Sequence, residues 1–108
     1  MTGLHEGEVQ IVVDRIVAVL QTTDLYWQFC VCTKLLEPLG AKAVAALPVL
    51  IQPRFLRHEQ SAWRQFAVRA IGKIGLPAQS ALPHLIEAQR DADEQVRREA
   101  AEAIKEVS

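Results

Sequence analysis

The strongest constraint on this chain is that it repeats itself. Residues Gly40 to Gln52 (GAKAVAALPVLIQ) match Gly75 to Glu87 (GLPAQSALPHLIE) at an offset of 35, which aligns Ala43 with Ala78, Ala46 with Ala81, Leu47 with Leu82, Pro48 with Pro83, Leu50 with Leu85 and Ile51 with Ile86. The stretch Asp91 to Val107 repeats at an offset of 33, so that Ala103-Ile104 falls on Ala70-Ile71, Val107 on Ile74, Val96 on Trp63 and Arg97 on Arg64. Within that stretch Val96, Ala100, Ala103, Ile104 and Val107 lie three or four residues apart, behind Asp91 and Asp93, which can cap a helix start. Such a chain folds as tandem helix pairs that bury their apolar faces against one another.

Six helices in three pairs follow. The first spans Glu8 to Gln21, with Val9, Val12, Val13, Ile16, Val17 and Leu20 on one stripe; Ile11 and Val19 lie off it, which makes this helix apolar on more than one side. Thr22, Thr23 and Asp24 supply caps for a second helix, Leu25 to Leu36, whose apolar face is Leu25, Phe29, Cys32, Leu35 and Leu36. Pro38 and Gly40 close it. A third helix, about Lys42 to Gln52, contains Pro48, and because Pro83 recurs at the same place a bend is expected in each. The loop Pro53 to His58 precedes a fourth helix, Glu59 to Ile74, which ends in Gly72 to Gly75; a fifth covers Ala78 to Gln89 and the sixth is Asp91 to Val107. The expected organisation is one domain, 1–108, with repeats of about 8–38, 41–74 and 77–107.

Composition narrows the class. Half of the 108 residues are hydrophobic and the net charge is −1, which argues against a nucleic-acid-coating protein, since that binding depends on neutralising many phosphates. No apolar run approaches the roughly 20 residues of a membrane span, and the start MTGLHEGEV lacks the order of a signal peptide. A soluble cytoplasmic protein is the plain reading. Cys30 and Cys32 stand two apart on a helix and point roughly 200° away from each other, so they are read as ordinary thiols and not as a redox or zinc pair.

The residues Val96-Arg97, Ala100 to Ile104, Ala70 to Gly75 and Ala81 to Ile86 resemble HEAT repeats, and most closely the short variety also found in phycobilisome lyase subunits. The resemblance implies an all-α superhelix, a HEAT-like solenoid stacked right-handedly, in which the second helix of each pair lines the concave face. It also implies that Arg97 and Arg64 bond near helix starts and hold adjacent repeats in register. The matching positions are packing positions, so they speak to fold and little to function.

Function is therefore sought on the exposed face. From Pro53 to Lys73 the chain carries Arg54, Arg57, Arg64, Arg69 and Lys73 against the single acid Glu59. With Phe55 and Phe66 this reads as a basic, aromatic patch of the kind that anchors protein interfaces. Trp63 takes the place of Val96 in the packing stripe and is read as core, whereas Phe66 aligns with exposed Glu99. Tyr26 and Trp27 suit either core or interface. The expected function is a non-catalytic scaffold or adaptor that binds another protein, of acidic or mixed surface, through Arg54, Phe55, Arg57, Phe66, Arg69, Lys73, Tyr26 and Trp27. The apolar first helix adds a candidate homodimer surface.

The alternatives are a subunit of a bilin lyase-type assembly and a nucleic-acid-binding HEAT-like module. HEAT-like metal hydroxylases carry repeated His-Glu pairs inside their second helices; here His5-Glu6 and His58-Glu59 fall outside the equivalent positions, Gln65-Phe66 and Arg98-Glu99. No nucleophile elbow or phosphate-cradling loop is present, and His84 is read as a surface residue. No enzyme activity, metal or cofactor is expected.

Overall fold

A computed structural model of the chain describes residues 5–108; the first four residues of the expected domain lie outside the described part. Helix α1 spans Glu6–Thr22 and α2 spans Tyr26–Leu36. A 3-10 stretch, Glu37–Ala46, runs into α3, Leu47–Leu50, and a single turn, α4, covers Pro53–Leu56. Helix α5 spans Ser61–Ile74, a second 3-10 stretch covers Leu76–Ala81, and α6 (Leu82–Ala88) and α7 (Glu94–Val107) complete the chain. No strand occurs among the described residues.

The elements form two layers. One holds α1 and the two 3-10/α3 and 3-10/α6 rods; the other holds α2, α5 and α7, with α5 packed on α2 at one side and on α7 at the other. The molecule measures 43 × 30 × 22 Å. Among the described residues each repeat thus packs mainly on its neighbours, as expected of a solenoid.

The repeated proline is placed differently from expectation. Pro48 and Pro83 do not bend long helices; each sits in the first turn of a short α-helix, directly after a 3-10 stretch. A first-turn proline lacks only an N–H that has no intrahelical acceptor anyway, so it costs no hydrogen bond there. A glycine at positive φ marks each 3-10 stretch: Gly40, at φ 54°, breaks the first from within, and Gly75, at φ 81°, stands directly ahead of the second. These are the residues aligned at offset 35, so the sequence match is also a match of backbone geometry.

The two junctions between repeats are filled by opposite means. Between α2 and α5, large rings stack: Phe29 lies 4.7 Å from Trp63 and 4.8 Å from Phe55, and His58 covers the other side of Trp63 at 4.5 Å. Between α5 and α7, small residues let the helices close up. A Cβ on Gly72 would lie 2.7 Å from Ala103 Cβ and 2.8 Å from its Cα. Thr33 is buried in this scaffold and donates its hydroxyl proton to the carbonyls of Phe29 and Cys30, 3.1 and 3.0 Å away.

Gly72→Ala tests the close contact. Alanine favours a helix by about 1 kcal/mol over glycine, yet overpacking here should outweigh that gain and lower folding stability by about 2 kcal/mol. Denaturant unfolding reads the difference, and an unchanged or raised midpoint would contradict the packing.

Candidate interaction surface

The basic run of the sequence does not form a basic patch in space, because each of its five cations meets a partner from another repeat or from the start of its own helix. The Arg54 guanidinium donates to the carbonyls of Leu20 (2.7 Å), Gln21 (2.8 Å) and Thr23, closing the C-terminal end of α1. Cations are favoured there by the orphan carbonyls and the helix dipole. Arg57 pairs with Glu87 at 3.0 Å. Arg69 lies between two acids, with Nε 3.2 Å from Glu37 and Nη1 3.7 Å from Glu99. Lys73 reaches Glu106 at 3.3 Å.

Arg64 is the most enclosed of the five. Its Nε and Nη2 donate to the two carboxylate oxygens of Asp91 at 2.8 and 2.9 Å, and Nη1 donates to the His58 carbonyl at 2.6 Å. Arg97, one repeat later, donates in the same way to the carbonyl six residues before it, that of Asp91, at 2.7 Å. Arg64 therefore ties the start of its own helix to the next repeat, while Asp91 also accepts from the Asp93 N–H at 2.9 Å. Asp93 in turn is the N-cap of α7, accepting from the Val96 N–H. The hydrogen bonds from Arg64 hold the Asp91 carboxyl below its ordinary range, against the opposing effect of burial.

One of the expected surface anchors is corrected by this geometry. Phe55 is only 1% exposed and belongs to the aromatic stack with Phe29, because the turn α4 folds it inward. Arg54 stays exposed while its guanidinium bonds backbone carbonyls. Leu25 and Leu35, expected in the core, are exposed, and Thr33 stands in the core in their stead. Trp63 is buried, as its place in the stripe implies. Cys30 and Cys32 are both free thiols.

The surface that remains is aromatic and aliphatic, with Tyr26 exposed and Phe66 half-buried. Tyr26 and Phe66 come from consecutive repeats and lie 6.3 Å apart, with Lys34 Nζ 6.0 Å from the centre of the Phe66 ring. Burial, helped by a hydrogen bond with Cys30, pushes the Tyr26 hydroxyl up to about 12, so it stays protonated. Trp27 is 64% exposed. Around the corner a shallow groove of about 300 Å³ runs between α1 and α2, lined by Val19, Trp27, Val31 and Leu35 among others. Val31 and Leu35 are surface residues that the sequence does not mark as such, since the positions aligned with Leu35, Ala70 and Ala103, are buried.

A second, larger cleft of about 580 Å³ lies beside α6 and includes His58, His84, Arg57, Arg64, Glu87 and Asp91. Its charges are the pairs Arg57–Glu87 and Arg64–Asp91, together with Glu59 and Arg90. Among the described residues no three His, Cys, Asp or Glu side chains are grouped to hold a metal, and no helix is long and apolar enough to cross a membrane. Residues 34–105 match the family model of HEAT repeats, and no curated protein matches the chain.

The enclosed Arg64–Asp91 pair has side chains only 17% and 13% exposed. Arg64→Ala should cost about 3 kcal/mol, since it leaves a shielded carboxylate without its partner. Because the Asp91 carboxyl is depressed in the folded state, its stabilisation is present above the ordinary carboxylate value of about 4 and is lost as pH falls through the lower folded value. The stability gap between wild type and Asp91→Asn should therefore be full at neutral pH and narrow below about pH 4; a gap that widens in acid would contradict the assignment.

Proposed function

The chain belongs to the HEAT-repeat family, and from that premise we propose that it is a non-catalytic scaffold that binds another protein along the α2/α5/α7 layer. The observation that carries this reading is the pair Tyr26 and Phe66, two aromatic side chains from adjacent repeats held side by side on that layer. Aromatic groups on a preformed backbone offer large contact with little freedom left to lose on binding.

The charged residues have a secondary part in this reading. Arg69 and Lys73 already sit opposite Glu37, Glu99 and Glu106, so the face presents alternating charges and not one sign. A partner of mixed surface suits it better than a purely acidic one. The same pairing speaks against nucleic acid, whose binding needs cations free to replace counterions. The cytoplasm is the compartment that goes with the reading, since free thiols such as Cys30 and Cys32 stay reduced there.

The test compares the wild-type chain with a Tyr26→Ser/Phe66→Ser variant, first confirmed by circular dichroism to be folded, as baits in native lysate. A protein held by the wild type and bound at least tenfold more weakly by the variant, about 1.4 kcal/mol, is the expected result. The same protein set on both baits, or nucleic acid or pigment in place of protein, would overturn the reading.

A further inference from the structure

In this stack each repeat receives the one before it through three positions of its second helix. On α5 these are Trp63, Phe66 and Ala70: Trp63 stacks on Phe29 of α2 and Phe66 adjoins Tyr26. On α7, 33 residues on, they are Val96, Glu99 and Ala103: Glu99 approaches Arg69 and Ala103 lies against Gly72 of α5. The corresponding residues of the first repeat, 35 before those of α5, are Gln28, Val31 and Leu35. No described element covers Val31 and Leu35, and Gln28 is half-buried. Val31 is 48% exposed and Leu35 53%, and with Trp27 and Val19 they form the wall of the groove between α1 and α2.

We propose that this receiving face is a self-association surface, on which a second copy of the chain docks by the same face about a two-fold axis. The face continues, in register and in composition, the interfaces that join the repeats, so its chemistry is that of a buried junction. The other end of the stack cannot cover it. There α7 presents Arg97, Glu102 and Lys105, all exposed, at the positions equivalent to Arg64, Arg69 and Gly72, so that face is polar and charged. Head-to-tail growth would bury those charges against Val31 and Leu35, at a large desolvation cost. Only an end of like chemistry matches, and a face that pairs with itself closes as a dimer.

Side-chain size points the same way. The interior junction between α5 and α7 depends on Gly72 and Ala103 approaching closely. Leucine at position 35 in place of Ala70 and Ala103 holds an incoming helix further off, as suits an interface filled by larger side chains from both copies.

Sedimentation velocity and native mass spectrometry of the whole chain test the proposal, alongside Val31→Glu/Leu35→Glu and, at the opposite end, Lys105→Glu. The wild type and Lys105→Glu should be dimers, while Val31→Glu/Leu35→Glu should be a monomer with unchanged far-UV circular dichroism, its self-affinity weakened at least a hundredfold. A wild type that stays monomeric at all concentrations tried would assign the face to a different partner and overturn the proposal. So would assemblies that grow beyond two copies, or a double variant that dimerises like the wild type. The Tyr26/Phe66 face is not part of this contact, so its failure to capture a protein leaves the dimer result unaffected.

Discussion

A helical repeat cannot bury its apolar face alone, and in this chain α5 is the element covered on both sides. On one flank it offers Trp63 to Phe29, a contact between large flat rings. On the other it offers Gly72 to Ala103, a contact that tolerates no added carbon. The first junction is tightened by bulk and the second by its absence, and both set the spacing at which the outer repeats sit. Arg64, at the start of the same helix, adds a directional tie to Asp91 of the next repeat. The position of every exposed side chain described above follows from where this helix is held.

The charge pattern obeys the same geometry. Along the chain, Arg57, Arg64, Arg69 and Lys73 look like one basic run. In space each meets an acid about one repeat further on: Glu87, Asp91, Glu99 and Glu106. A solenoid puts residues one repeat apart side by side, so the local charge of a segment is a poor guide to the charge of the surface it forms. Glu99 and Glu106 stand 33 after Phe66 and Lys73, so the repeat alignment held this information, although a count along the chain did not use it.

Much of the fold was legible in the sequence because apolar spacing and repeat alignment both report packing. The stripe Val9, Val13, Ile16 and Leu20 is buried as its period implies, and the aligned glycines 40 and 75 share a backbone conformation. The prolines were harder: a proline inside an apolar helical run reads as a kink, and only the 3-10 geometry before it shows that it begins a new α-helix. Phe55 was misread for a related reason. Pro53 to His58 has the composition of a surface loop, yet a single turn of helix within it turns that ring into the core. At Leu35, periodicity placed an apolar residue on a buried stripe whose covering repeat the described chain does not supply. The candidate binding residues were less legible, since exposure depends on which neighbour covers each helix face.

The central claim is that α5 is the covered middle of a one-dimensional stack, and hydrogen exchange followed by mass spectrometry tests it most directly. Amides within Ser61–Ile74 should exchange slowest, with protection falling towards α1 on one side and towards the C-terminal turns of α7 on the other. Equal protection across all helices, or slowest exchange in α1 or α7, would contradict it and point to a single core in which no repeat is the middle one.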